Sequence, residues 1–157
     1  MVTYFNYQVN DLSLAIDSVL KMNEKKIPVR IGEVILFCKG VILVKLIHDH
    51  EIELLDVKEQ IKAAEQLSEG TDYVVILDGG LTLDVSDEAM TYAARYKDER
   101  WLAFAIVVRS ISERLFANYY LMFKKPVRPT KVFTTPSGAE KWLKEFVRID
   151  VPMKYEV

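Results

Sequence analysis

Tyr73-Val74-Val75-Ile76-Leu77-Asp78-Gly79-Gly80, running on through Leu81-Thr82-Leu83-Asp84-Val85 to Ser86-Asp87-Glu88-Ala89, is the stretch whose reading decides the fold. Its first five residues are an apolar, β-branched run closed by a Gly-Gly break, which predicts a strand buried on both faces. From Ser86 the pattern restarts as a helix, with Ser at the cap and two carboxylates in the first turn. A strand leading through a loop into a helix is the repeating unit of an open α/β sheet. In such sheets, sites gather beyond the carboxyl ends of the strands.

Working outward, residues 55–67 have helical spacing, with Leu55, Ile61, Ala64 and Leu67 expected inside, Lys58, Glu59, Lys62 and Glu65 in water, and Gly70 as the stop. Before them, 33–38 and 41–47 are apolar strands separated by Lys39-Gly40, a two-residue break that predicts an antiparallel hairpin. Downstream, a helix is expected from Asp87 to about Lys97, burying Ala89 or Met90 with Ala93 and Ala94. A strand over 101–108 follows, then a helix capped by Ser112 and running to about Lys124. Pro126 and Pro129 break the chain before a short strand at 131–134. Thr135-Pro136 opens the last helix, with Trp142, Leu143 and Phe146 on its inner face.

Strand, strand, helix and three strand-helix units predict an α/β domain: a mixed, mostly parallel sheet of about five strands, opened by an antiparallel hairpin and accompanied by about four helices. The domain proper spans 30–148, followed by a tail at 149–157. Residues 1–29 read as an N-terminal extension, with a helix over about 11–23 in which Leu12, Ala15, Ile16, Val19 and Leu20 share a face and Pro28 closes the segment.

Bulk properties narrow the function. At 157 residues the chain can bury about two-thirds of its unfolded surface in one core. Lys and Arg number 21 against 23 Asp and Glu, so clustered, unneutralised positive charge for nucleic acid is not expected. One cysteine, Cys38, excludes an internal disulfide and fits a reducing compartment. The start of the chain lacks a secretory pattern, and no apolar run approaches the roughly 20 residues that cross a bilayer. A cytoplasmic protein without a transmembrane segment is the expectation.

The element order, the strand-Asp-Gly turn at 77–79, and Lys131-Val132-Phe133-Thr134 followed by Ala139-Glu140-Lys141-Trp142-Leu143 resemble the STAS (SpoIIAA-like) fold of anti-sigma-factor antagonists, and more closely the STAS/Sec14-like small bacterial proteins. The resemblance covers about 33–147. It implies a regulatory or protein-interaction domain and brings no catalytic signature. Phospho-regulated members carry an Asp-Ser-Ser-Gly run at the next helix start, the first Ser being the phosphorylated one. Aligned without a gap from Asp78, Ser86 stands where the family has Asp, and Asp87 where it has the phosphorylated Ser. On that alignment the switch is absent; Ser86 takes the role only if the register slips by one.

Two stretches invite chemistry. Asp78-Gly79-Gly80-Leu81-Thr82 has the strand-end Asp and the Thr of a haloacid-dehalogenase phosphatase loop, but Gly80 replaces the general acid, and no acidic pair follows the strand ending at Thr134 to hold Mg²⁺. No enzyme activity and no cofactor are expected. His48 and His50 would share a strand face and so approach one metal, but the next position on that face is Ile52, so the pattern reads as a solvated strand end and no metal site is expected.

The expected helix from Ser112 is the more suggestive feature. Leu115-Phe116-Ala117-Asn118-Tyr119-Tyr120-Leu121-Met122-Phe123 is apolar nearly all round, wider than one sheet-packing stripe. If Leu115, Tyr119 and Met122 face the sheet, Phe116, Tyr120 and Phe123 need other cover: residues 1–29, a protein partner or second copy, or a small apolar or lipid-like ligand.

Overall fold

The structure is a computed structural model that describes residues 25–46, 50–79 and 84–149. The helix expected at 11–23, His48, the loop residues Gly80 to Leu83 and the tail beyond Ile149 lie outside the described residues. Six strands lie side by side in chain order: β1 (Lys25–Val29), β2 (Gly32–Cys38), β3 (Val41–Leu46), β4 (Tyr73–Asp78), β5 (Trp101–Val107) and β6 (Thr130–Phe133). β1, β2 and β3 pair antiparallel; β3 to β6 are parallel. The mixed, mostly parallel sheet matches the expectation, with one strand more than the five expected. The addition is β1, cut from residues read as extension. Its two lysines and Pro28 suit a sheet edge, where lysine blunts association and a missing N–H is tolerated.

Two glycines fix the opening hairpin. Gly40 adopts φ +81° in the turn after β2, and a Cβ at Gly32 would lie 2.0 Å from the Lys45 carbonyl oxygen, so only glycine permits β2 and β3 to pair in this register.

The helices are α1 (Leu54–Ser68), α2 (Asp87–Arg95), α3 (Ile111–Tyr119), which continues into a π-helical turn over Tyr120–Lys124, and α4 (Pro136–Leu143). Residues of α1, α2 and α3 share one core cluster, which sets these three crossover helices on one face of the sheet, as right-handed crossovers between successive parallel strands would. Alternation along the strands sorts the core accordingly: Ile42, Val44, Tyr73, Val75, Phe104 and Ile106 pack with those three helices, while Val41, Leu43, Val74, Ile76, Ala103 and Ala105 share the other cluster with Ala139, Trp142 and Leu143 of α4. No helix among the described residues is long and apolar enough to cross a membrane.

Three local expectations are corrected. Leu55 is 73% exposed rather than inside, because the inner stripe of α1 runs through Val57, Ile61, Ala64 and Ser68. At about 100° per residue, nine residues set Leu55 roughly half a turn from Ala64. The cap of α3 is Ser110, not Ser112: its hydroxyl accepts from the Glu113 N–H at 3.1 Å, and the Glu113 carboxylate reaches back to the Arg109 N–H at 2.7 Å. Finally, the face of α3 differs from the expected one at every residue that the expectation placed but Phe123. Ala117 and Tyr120 are buried and Phe116 half-buried, whereas Ile111, Leu115, Tyr119, Met122 and Phe123 are exposed.

Candidate functional site

Between the sheet and its three crossover helices the packing leaves a cavity of about 110 Å³. The sheet contributes large side chains, Tyr73 from β4 and Trp101 and Phe104 from β5. The helices answer with small ones, Ala64 from α1, Ala89 and Ala93 from α2 and Ala117 from α3. The mismatch leaves the space. An apolar cavity of about 150 Å³ in another protein stays dry and takes benzene, so this one is of a size to matter.

Two of the lining residues carry a polar atom that is buried, shielded from the open space and without a hydrogen-bond partner: Nε2 of Gln60 on α1 and the hydroxyl of Tyr120 at the end of α3. Tyr120 is only 6% exposed, and burial pushes its pKa up to about 12 despite the opposing field of Arg128, so the phenol stays neutral and keeps its proton to donate. The other polar side-chain groups on the wall are engaged. The Tyr73 hydroxyl donates to Asp98 Oδ2 at 2.9 Å and the Trp101 indole N–H to the Ala103 carbonyl at 3.1 Å.

Arg128 braces the cavity from outside. Its guanidinium lies 3.6 Å from the Trp101 ring centroid and donates to the carbonyls of Ala93 and Tyr96, where a cation complements the negative end of α2. Lys124, carried by the π-helical turn, bonds Asp87 and Thr91 of α2, tying the end of α3 to α2.

The residues singled out from sequence divide between two places. Phe116 and Tyr120 line the cavity, while Phe123 is 62% exposed and packs with Tyr119 at 4.7 Å between centroids. The π turn widens the helix between them and moves Phe123 outward. Asp78 is 4% exposed, and its carboxylate takes two hydrogen bonds from Arg109. Ser86 caps α2, accepting from the Ala89 N–H at 3.2 Å, and Asp87 is the partner of Lys124. His50 is exposed, and among the described residues no group of three His, Cys, Asp or Glu side chains is placed to hold a metal ion.

Gln60, Trp101, Phe104 and the alanines of the wall were not singled out by sequence as site residues. Their signal was present in the small residues recurring on successive inner helix faces, opposite aromatics on two adjacent strands.

Residues 35–147 match the family described as "Domain of unknown function (DUF7793)". The chain belongs to that family. The match takes in the whole cavity of this DUF7793 domain, from Val44 to Tyr120. No curated protein matches the chain. Among solved structures, the chain is similar to a crystal structure at 2.20 Å of a protein with unknown function from Arthrobacter sp. FB24. The two are 23% identical, over 70% of this chain and 96% of the other, with a TM-score of 0.26, too low to carry any argument.

Proposed function

We propose that this domain is a non-enzymatic binding module that holds a small, largely apolar molecule between the sheet and α1, α2 and α3, as a sensor or carrier. The observation that carries this reading is the cavity of about 110 Å³, lined almost wholly by aliphatic and aromatic side chains from the sheet and the three helices. What supports a non-catalytic role is the state of the strand-end groups. Asp78 is neutralised by Arg109 and Ser86 is committed to a helix cap, so neither stands ready as nucleophile or metal ligand. We retain the STAS resemblance within this proposal, on the unbroken sequence of strand-helix crossovers from β3 to β6, and with it the absence of a serine phospho-switch. A cytoplasmic location belongs to the same proposal.

The direct test is hydrocarbon binding to the purified chain, with toluene and p-xylene titrated by calorimetry and followed by the methyl NMR signals of Met90 and Ile106. Saturable binding that shifts those signals supports the reading. Absence of binding to either sinks it.

A second reading rests on the outer face of α3, its π-helical turn and the bend that follows. Ile111, Leu115, Tyr119, Met122, Phe123 and Val127 are each between 43% and 80% exposed. At on the order of 100 Å² each, six such side chains approach the roughly 800 Å² that each partner gives to a standard interface. A single helix face meets its own copy across a two-fold axis, so we assign this stripe to self-association. Light scattering should then show a dimer that Leu115→Ser with Phe123→Ser reduces to monomer; a monomer at all concentrations refutes it.

A further inference from the structure

We propose that the sheet face shared with α4 carries, over β2 and β3, a docking site for the chain's own N-terminal stretch, residues 11–23, whose apolar stripe closes that face as a second helix beside α4. This goes beyond the binding-module reading and does not depend on it.

The site is the part of the face that α4 does not cover. α4 packs on β5 and β6, and a helix about 10 Å across spans two strands set about 4.8 Å apart. The stretch after it brings Val147 beside Gly40, at the amino end of β3. Yet Ile35 and Leu43, cross-strand partners in the middle of β2 and β3, are only 7% and 3% exposed, and Phe37 packs against the same cluster. These side chains need an apolar layer that no described helix supplies.

Spacing, connection and length choose the occupant. Leu12, Ala15, Ile16, Val19 and Leu20 recur at i, i+3, i+4, i+7 and i+8, the apolar stripe of one helix. Glu24 alone separates that stretch from β1, and Lys25 pairs with Leu36 at the edge of the sheet, so the helix must lie against β1 and its neighbours on one face or the other. One face is taken, because α1 packs there on β1, β2 and β3. The other is the face that needs cover. A helix over 11–23 is about 20 Å long, and β3, with six residues, rises about 20 Å as well. α3 is out of reach by the same reasoning: it joins β5 to β6, about four strand spacings or roughly 19 Å from β1, with α1 and α2 between. The outer stripe of α3 is thereby left for a second copy.

NMR on the methyl-labelled full chain tests this. Nuclear Overhauser contacts from the methyl groups of Ile16, Val19 and Leu20 to those of Ile35 and Leu43 are the expected result, and a sample mixed from differently labelled chains should show none between chains. The inference is overturned if Ile16 and Val19 contact Leu115 or Met122 of α3 instead, if Ile35 and Leu43 are met by Val151 or Val157 of the tail, if the contacts arise only between chains, or if residues 11–23 show no contact with the sheet. A second readout is chemical. Cys38 is half-buried against the same cluster, so Ile16→Asp with Val19→Asp should raise severalfold its rate of reaction with a disulfide reagent while unfolding in urea stays cooperative. An unchanged rate also overturns the site.

Discussion

Replacing Tyr120 with phenylalanine should stabilise the ligand-free protein, whereas the same replacement at Tyr73 should destabilise it. Both rings are buried, with Tyr73 fully and Tyr120 94% removed from solvent. Their hydroxyls differ in one respect. That of Tyr73 donates to the Asp98 carboxylate at 2.9 Å, while that of Tyr120 has no partner. Removing a hydroxyl bonded to a charged acceptor forfeits about 1.5–3 kcal/mol. Removing an unpaired one relieves the cost of having stripped it of water, about 1 kcal/mol at the low end for a neutral group. For a domain of this size 1 kcal/mol moves the thermal midpoint by about 2–4 °C, so the two variants should separate by several degrees in opposite directions. Urea denaturation and scanning calorimetry, both without added ligand, are sufficient to see this. If Tyr120→Phe lowers the urea midpoint as Tyr73→Phe does, the Tyr120 hydroxyl has a partner, and its assignment as unpaired fails.

Three further outcomes follow from the packing. Ala64→Leu adds three carbons to the cavity wall; it should abolish p-xylene binding, and each well-accommodated methylene should add up to about 0.8 kcal/mol of stability, so retained binding would put the ligand elsewhere. Gly32→Ala should cost about 3 kcal/mol or more in urea, because its Cβ would collide with the Lys45 carbonyl; a change within about 0.5 kcal/mol would mean the hairpin register is wrong. The Asp56 carboxylate, bonded by Arg30 and by the Glu53 N–H, has its pKa held below the usual carboxylate range, chiefly by the Arg30 hydrogen bond. Its contribution is therefore complete above that range and is lost as pH falls through the depressed folded value. Urea midpoints taken between about pH 6 and pH 2 should fall less steeply for Asp56→Asn than for the native chain; parallel curves would contradict the assignment.

The sheet was legible because its interior strands are near-continuous apolar runs between clear breaks. Both faces of β3 and β4 had to be covered, and the structure covers them. The edge was illegible for the opposite reason: Lys25-Lys26-Ile27-Pro28-Val29 carries the charges and proline that protect an exposed edge, and these are also the marks of a linker. At α3, a helix apolar on every side has no phase to read. The deciding features were the Ser110 cap with Glu113, a spacing present in the sequence, and the π turn at Tyr120, which no simple spacing announces. The strand-end stretch from Asp78 to Ala89 identified the fold correctly and drew attention as a site for the same reason. Of its polar groups, Asp78 is spent on Arg109, Ser86 on the Ala89 N–H and Asp87 on Lys124.

The cavity is hard to explain as packing alone. A core selected only for stability would place larger residues at positions such as Ala64, Ala89 or Ala117 and a phenylalanine at 120, since voids and unpaired buried hydroxyls each cost free energy. Here both defects occur among the same residues, since Gln60 and Tyr120 line the empty volume and also carry the unpaired atoms. A small apolar occupant would remove the first of them. Around the cavity the structure is firmly tied, by Arg128 on Trp101 and the end of α2 and by Lys124 between α3 and α2, so the walls are held apart while the space between them is left open. The same helix that presents Tyr120 to the cavity presents Leu115, Tyr119, Met122 and Phe123 to solvent. An occupant that packs against Tyr120 therefore acts on the element whose opposite side is the candidate interface, and monitoring the dimer fraction against p-xylene concentration measures that linkage directly.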